Sequence, residues 1–380
     1  MKIVIAPDSY KESLSAMEVA NAIEAGFREI YPNAEYVKMP VADGGEGTVD
    51  AMVAATGGRK ISVSVTGPTG KPVMAELGLI HQHTAVIEMA AASGLERISA
   101  AERNPLITTT YGTGEMIRAA LDLGVKQFII GIGGSATNDG GAGMLQALGY
   151  RLLDQHGRDI PRGGACLSDL ATIDISSADP RLQDCQFKVA CDVTNPLTGP
   201  LGAAQVFGPQ KGADAAMVAL LDENLKHYAR IVTQELGTDV EFVPGAGAAG
   251  GTGAALLAFM KAELHSGIDI VLAALGLELI IADADLVITG EGRLDSQTIN
   301  GKVPVGVARL AKRHGKPVIA IAGSLSPDVA IVYEHGIDSA FSAVNRVCTL
   351  HEAFDFAASN IKLTARNIAA LLQIGHSLNR

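Results

Sequence analysis

The chain has 380 residues, 48% of them hydrophobic, 19% charged and only 4% aromatic, with no Trp. That is too long for one ordinary core and too apolar for a disordered chain, so two or three globular domains built on Ala, Val, Ile and Leu are expected. A formal net charge of −11 argues against nucleic acid as a partner. Cys166, Cys185, Cys191 and Cys348 form no CxxC pair, which fits a reducing compartment without structural zinc.

KIVIA (2–6) reads as a short β-branched strand ended by Pro7, Asp8 and Ser9. Ser15 and Glu18 have capping-box spacing ahead of an apolar stripe at Val19, Ile23, Phe27 and Ile30, so a helix follows. Residues 36–42 form a second strand, running into DGGEGT (43–48). ISVSVTGP (61–68), VMAELGLI (73–80) and AVIEMA (85–90) then come close together with short turns, as in an antiparallel or mixed sheet. QFIIGIGG (127–134) and FKVACDV (187–193) are later strands of the same region. Strand–helix alternation returns with LVITG (286–290), a helix over 305–313, PVIAIAG (317–323), SAFSAV (339–344) and a final helix over roughly 352–373.

This order predicts an α/β protein of two domains. Both chain ends (1–55 plus 285–380) build one α/β domain on a parallel sheet. A second α/β domain with a mixed sheet (56–284) is inserted into it. The apolar stretch 268–288 carries Asp269, Glu278, Asp283 and Asp285, which forbids a membrane span. With no leader-like pattern at the start, the cytoplasm is the expected location.

Several loops carry chemistry. GIGGSATNDGGAG (131–143) follows a strand and precedes a helix start, where backbone N–H groups and the helix dipole favour an anion; the bland alternative is a tight turn. There is no Walker A loop, no GxSxG elbow and no HExxH. GAGAAGGTG (245–253) contains a formal GxGxxG, but Pro244 and the missing second-strand acid make a flexible loop or second phosphate contact the better reading than a dinucleotide site. PDSYK (7–11), VADGGEGT (41–48), ACDVTNPLTGP (190–200), FGPQKG (207–212) and GEGRLDSQ (290–297) add polar strand-end loops. Each alone could be an Asx-turn or a surface ion pair, but together they suggest a charged cleft. A site of Asp, Lys and glycine loops without a covalent nucleophile fits phosphoryl transfer.

APDSYKESLSA, PVADGGEGT, GIGGSATNDGGAGM, ACDVTNPLTGP, FGPQKG and VITGEGRLDSQTINGKVPVGVA, in this order, resemble the bacterial type I glycerate kinase family, from residue 2 to about residue 370. The resemblance implies an ATP-dependent, Mg²⁺-requiring kinase that converts D-glycerate to 2-phosphoglycerate in the breakdown of sugar acids. It also implies two α/β domains, one of them Rossmann-like and discontinuous, with the active-site cleft between them.

Chemistry then suggests roles. Gly133, Gly134, Ser135, Thr137 and Asn138, with Lys211, are expected at the nucleotide phosphates. Asp192 is the first choice for base or Mg²⁺ ligand and Asp295 the second. Lys11 and Arg293 would pair with the substrate carboxylate or the moving phosphoryl group, and Asp8, Ser9 and Asp43 would hold the glycerate hydroxyls. A homo-oligomer is compatible with the sequence. The alternatives are a glycerate 3-kinase or a kinase of a related hydroxy acid, an NAD-dependent oxidoreductase, and a non-catalytic sugar-acid sensor.

Overall fold

Ile3, Val4 and Ile5 are wholly buried, as befits a parallel strand covered on both faces. In the computed structural model, which describes residues 1–378, this strand, Lys2–Ile5, lies in a five-stranded sheet. The order is Ser339–Ser342, Val318–Ala322, Leu286–Thr289, Lys2–Ile5, Glu35–Lys38, and every pair is parallel. With its helices this sheet forms one compact unit, residues 1–43, 50–57 and 268 onward.

The helix Ala16–Arg28 begins with the expected capping box: the Glu18 N–H donates to Ser15 Oγ at 3.3 Å and the Ser15 N–H to Glu18 Oε2 at 2.8 Å. Its buried Val19, Ile23 and Phe27 share a core with Ile361, Ala365 and Ile368 of the helix Ala357–Leu378. Gly26 permits that approach, since a Cβ there would lie 2.2 Å from the Lys362 carbonyl oxygen. The C-terminal helix expected over 352–373 is instead two, Leu350–Asp355 and Ala357–Leu378. The first opens on a second capping box, Thr349 with Glu352, and its C-cap falls at Phe356.

Residues 268–284, which the sequence reading left with the insertion, group with this unit. Asp269 pairs with Arg309 of the helix Val303–Arg313, and Gly306 makes room for the Ile268 side chain.

The second unit, residues 44–49 and 58–267, carries a six-stranded mixed sheet. Glu263–His265, Gln186–Ala190, Gln127–Gly131 and Thr84–Glu88 run parallel. The hairpin Arg59–Thr66 and Pro72–Ile80 adds antiparallel to Thr84–Glu88. Phe128 and Phe187 stack across neighbouring strands at 4.7 Å in its core.

Candidate functional site

Leu286–Thr289 and Lys2–Ile5 are neighbours in the first sheet, and from them the chain builds outward in opposite directions. Ligands of open parallel sheets sit beyond the carboxyl ends of the strands at such a switch point. Asp8 follows one of these strands and Glu291 the other, while Asp43 comes after the adjacent Glu35–Lys38. Together with Lys11, Arg293, Asp295 and Lys302 they line a cavity of about 560 Å³ within this unit.

Local structure fixes each group. The Asp8 N–H donates to the Gly290 carbonyl at 2.8 Å, and Asp8 Oδ1 accepts the Ser9 N–H at 2.7 Å. Gly290 must be glycine, because a Cβ would lie 1.8 Å from the Ile321 oxygen. Thr298 ties two carboxylate loops together: its hydroxyl donates to Glu291 Oε1 at 2.5 Å and accepts the Asp295 N–H at 3.1 Å. Lys302 Nζ stands 3.6 Å from Glu291 and 3.9 Å from Asp295, and Arg293 Nε 3.7 Å from Asp295. Arg293 also donates to Ser326 Oγ at 2.9 Å.

Burial pushes the Asp8 carboxyl up to about 7; the Asp43 and Glu291 charges add to the rise, while the Ser9 N–H and Lys11 oppose it. Burial likewise raises Glu291, against Thr298 and Lys302. Four carboxylates facing three cations leave excess negative charge, and an all-oxygen donor set suits a hard cation such as Mg²⁺. Among the described residues no group of three or more His, Cys, Asp or Glu side chains is arranged to hold a metal. A nucleotide-bound Mg²⁺ needs only one or two carboxylates, the phosphates and water supplying the rest.

The glycine loop of the second unit is built differently. Only Gly133 and Gly134 reach the surface. The anion at the start of its helix, Ala142–Ala147, is the chain's own Asp139. Its Oδ2 accepts the Thr110 N–H at 2.8 Å, the Thr110 hydroxyl at 2.9 Å and the Gly143 N–H at 3.3 Å; its Oδ1 accepts the Gly141 N–H at 3.2 Å. Thr137 and Asn138 are 0% and 1% exposed. Thr137 Oγ1 and both side-chain amide atoms of Asn138 are buried with no hydrogen-bond partner among the described residues. Lys211 is buried too, donating to Ser135 Oγ at 2.8 Å and to the Thr137 carbonyl at 2.6 Å, and burial drops its pKa to about 7.

The second glycine run explains the first. Within the helical segment Ala248–Met260, residues Ala249, Gly250 and Gly251 take left-handed φ of 53°, 66° and 92°. Gly250 lies so close to the loop that a Cβ would be 2.1 Å from the Thr137 oxygen, and its carbonyl accepts the Gly140 N–H at 2.9 Å. This run follows no strand, so it is not a dinucleotide turn, and it packs closely against the first loop. The oxidoreductase alternative loses its one motif.

Six of the anticipated residues, Asp8, Ser9, Lys11, Asp43, Arg293 and Asp295, therefore meet in one cavity. Ser135, Thr137, Asn138 and Lys211 are gathered beneath the glycine loop, and all four are buried. Asp192 belongs to the second unit, exposed beyond Gln186–Ala190, with Oδ1 accepting the Gly267 N–H at 3.0 Å. Glu291 and Lys302 complete the cavity rim. Lys302 carries no functional signal of its own in the sequence, and only the fold brings it to Glu291.

A parallel sheet whose switch point gathers acids and cations defines an enzyme acting on a small polar substrate. Residues 3–373 match the sequence profile of the glycerate kinase family, so the chain belongs to that family. It is 62% identical, over 99% of both chains, to a protein named glycerate 2-kinase from Escherichia coli (strain K12). It is 58% identical to a glycerate kinase of Bacillus subtilis (strain 168), covering 100% of this chain and 99% of the relative. A crystal structure of a proposed glycerate kinase 2 from Salmonella typhimurium LT2 superposes with a TM-score of 0.93 at 61% identity, covering 99% of each chain. Membership of a kinase family implies a nucleotide substrate. Among the described residues no helix is long and apolar enough to cross a membrane.

Proposed function

We propose that this chain transfers the γ-phosphoryl group of ATP, as its Mg²⁺ complex, to the C2 hydroxyl of D-glycerate, giving 2-phosphoglycerate and ADP. The observation that carries this reading is Asp8, a carboxyl at the sheet switch point held near 7 beside cations that match an acid substrate. A general base is most effective when its pKa lies near the working pH. Asp8 Oδ1 is engaged by Ser9, which leaves Oδ2 to take the hydroxyl proton as the oxygen attacks phosphorus and ADP departs. Ser9 and Asp43 hold the glycerate hydroxyls. Lys11 and Arg293 neutralise the carboxylate and the moving phosphoryl group.

Asp295 is the carboxylate assigned to Mg²⁺, which when bound withdraws charge from the phosphates. Asp192 falls behind both as base and as metal ligand, because its oxygen already caps the Gly267 amide. In the second unit the anion role is assigned to the exposed Gly133 and Gly134. A cytoplasmic location, where ATP and Mg²⁺ are abundant, follows from the same reading.

The test is ADP release from MgATP with and without D-glycerate, followed by ³¹P NMR of the product. Glycerate-dependent ADP with a secondary phosphate ester is expected. A primary ester would move the attack to C3, and no glycerate-dependent ADP would overturn the substrate.

A further inference from the structure

The cavity in the first unit is much larger than glycerate needs. A three-carbon acid fills a fraction of about 560 Å³, a volume in the range of pockets that take drug-sized ligands. Its walls also change character across its width. One side is the charged rim at Asp8 and Glu291. The other is apolar, built from Ala343 and Val344 beyond the last strand and from Leu350, Phe354 and Ile361 on the two C-terminal helices.

Leu350 is 69% exposed although it lines the cavity. Apolar surface rimmed by polar groups is a common feature of ligand-binding grooves. Asn360 adds a carboxamide to this wall, and the Ser13 hydroxyl beside it donates to the Phe354 carbonyl at 3.4 Å. A carboxamide presents one donor and one acceptor side by side, the pattern that matches the amino and ring nitrogens of an adenine edge. Nothing about glycerate calls for such a wall, since an aliphatic surface gives a hydroxy acid no hydrogen bonds.

We propose that the apolar side of this cavity is the nucleoside subsite, with the adenine ring against Phe354, Leu350 and Val344 and its polar edge on Asn360. The proposal rests on the kinase reading above and adds where the nucleotide's base is held. It places the recognition of the nucleotide on the C-terminal helices, while the strand-end rim handles glycerate and phosphate.

Irradiating the unaltered enzyme with 8-azido-ATP, in the presence and absence of excess ATP, locates the base directly. Labelling that ATP suppresses is expected in the peptides spanning 343–361; labelling confined to other peptides overturns the subsite. Asn360→Ala and Phe354→Ala are each expected to raise KM for ATP by about tenfold, the effect of losing one good contact. KM for D-glycerate should stay within about twofold of the unaltered value. A rise in KM for glycerate alone, or an unchanged KM for ATP in a variant whose circular dichroism is preserved, assigns the wall elsewhere. Glycerate-dependent ADP release by the unaltered enzyme is measured in parallel. If turnover is absent, the kinase reading fails; if turnover is present and the label falls elsewhere, only the subsite fails.

Discussion

The rim around Asp8 and the loop around Thr137 both lie beyond the carboxyl end of a parallel strand, and both are rich in glycine and polar side chains. Their electrostatics differ. In the first unit four carboxylates crowd a cavity with three cations, and burial holds Asp8 near 7. In the second unit the one carboxylate, Asp139, accepts four hydrogen bonds from its own surroundings and is closed off. A site ready for a ligand keeps its charge unbalanced until the ligand arrives. A glycine loop that serves packing supplies its own counter-group.

Asp8→Asn tests the first half of that contrast and should show the largest effect. Removing a general base lowers kcat by ~100-fold or more, while thermal stability is kept because no buried charge is created. Asp192→Asn should cost less, since the amide oxygen can still accept the Gly267 N–H. A larger loss for Asp192→Asn, measured at saturating ATP and glycerate, would move the base to the second unit.

Gly250→Ala tests the second half. The new methyl would meet the Thr137 oxygen at 2.1 Å on a residue with φ of 66°, a combination expected to cost about 3 kcal/mol. Urea unfolding should show the loss, while kcat of the enzyme that remains folded changes only a few-fold. A kcat collapse without a stability loss would make the run a ligand contact after all.

The Asp8 environment also sets a pH dependence. The base works only when deprotonated, and its pKa is raised to about 7 in the folded enzyme. Accordingly kcat/KM should fall about tenfold per unit below that pH and level off above it. An acid limb near 4, the ordinary range for Asp, would mean that a solvated carboxylate carries the proton.

The sequence exposed the rim well and the loop poorly. Asp8 and Glu291 closely follow the short apolar strands Lys2–Ile5 and Leu286–Thr289, and Asp43 and Asp295 lie in the loops that come next, so local pattern alone puts them beyond strand ends. Phe354 and Asn360 lie on helices whose periodicity reads as ordinary packing, and only the sheet order brings them to the same cavity. The burial of Thr137 and Asn138 was not legible, because it depends on Gly250, more than a hundred residues away. A glycine run looks the same in sequence whether its close neighbour is a phosphate or another stretch of backbone.

Thr137→Val separates those two neighbours most cleanly, with the smallest expected effect. The Thr137 hydroxyl is buried with no protein hydrogen-bond partner, and a valine of nearly the same shape removes that unsatisfied group. If the loop is a packing element, stability should be unchanged or higher by up to ~1 kcal/mol, and KM for ATP should not move. If Thr137 instead turns outward to a phosphate during turnover, losing its hydroxyl would raise KM for ATP or lower kcat by tenfold or more. Urea denaturation and steady-state kinetics on this one variant decide whether the loop's polar residues serve the fold or the nucleotide.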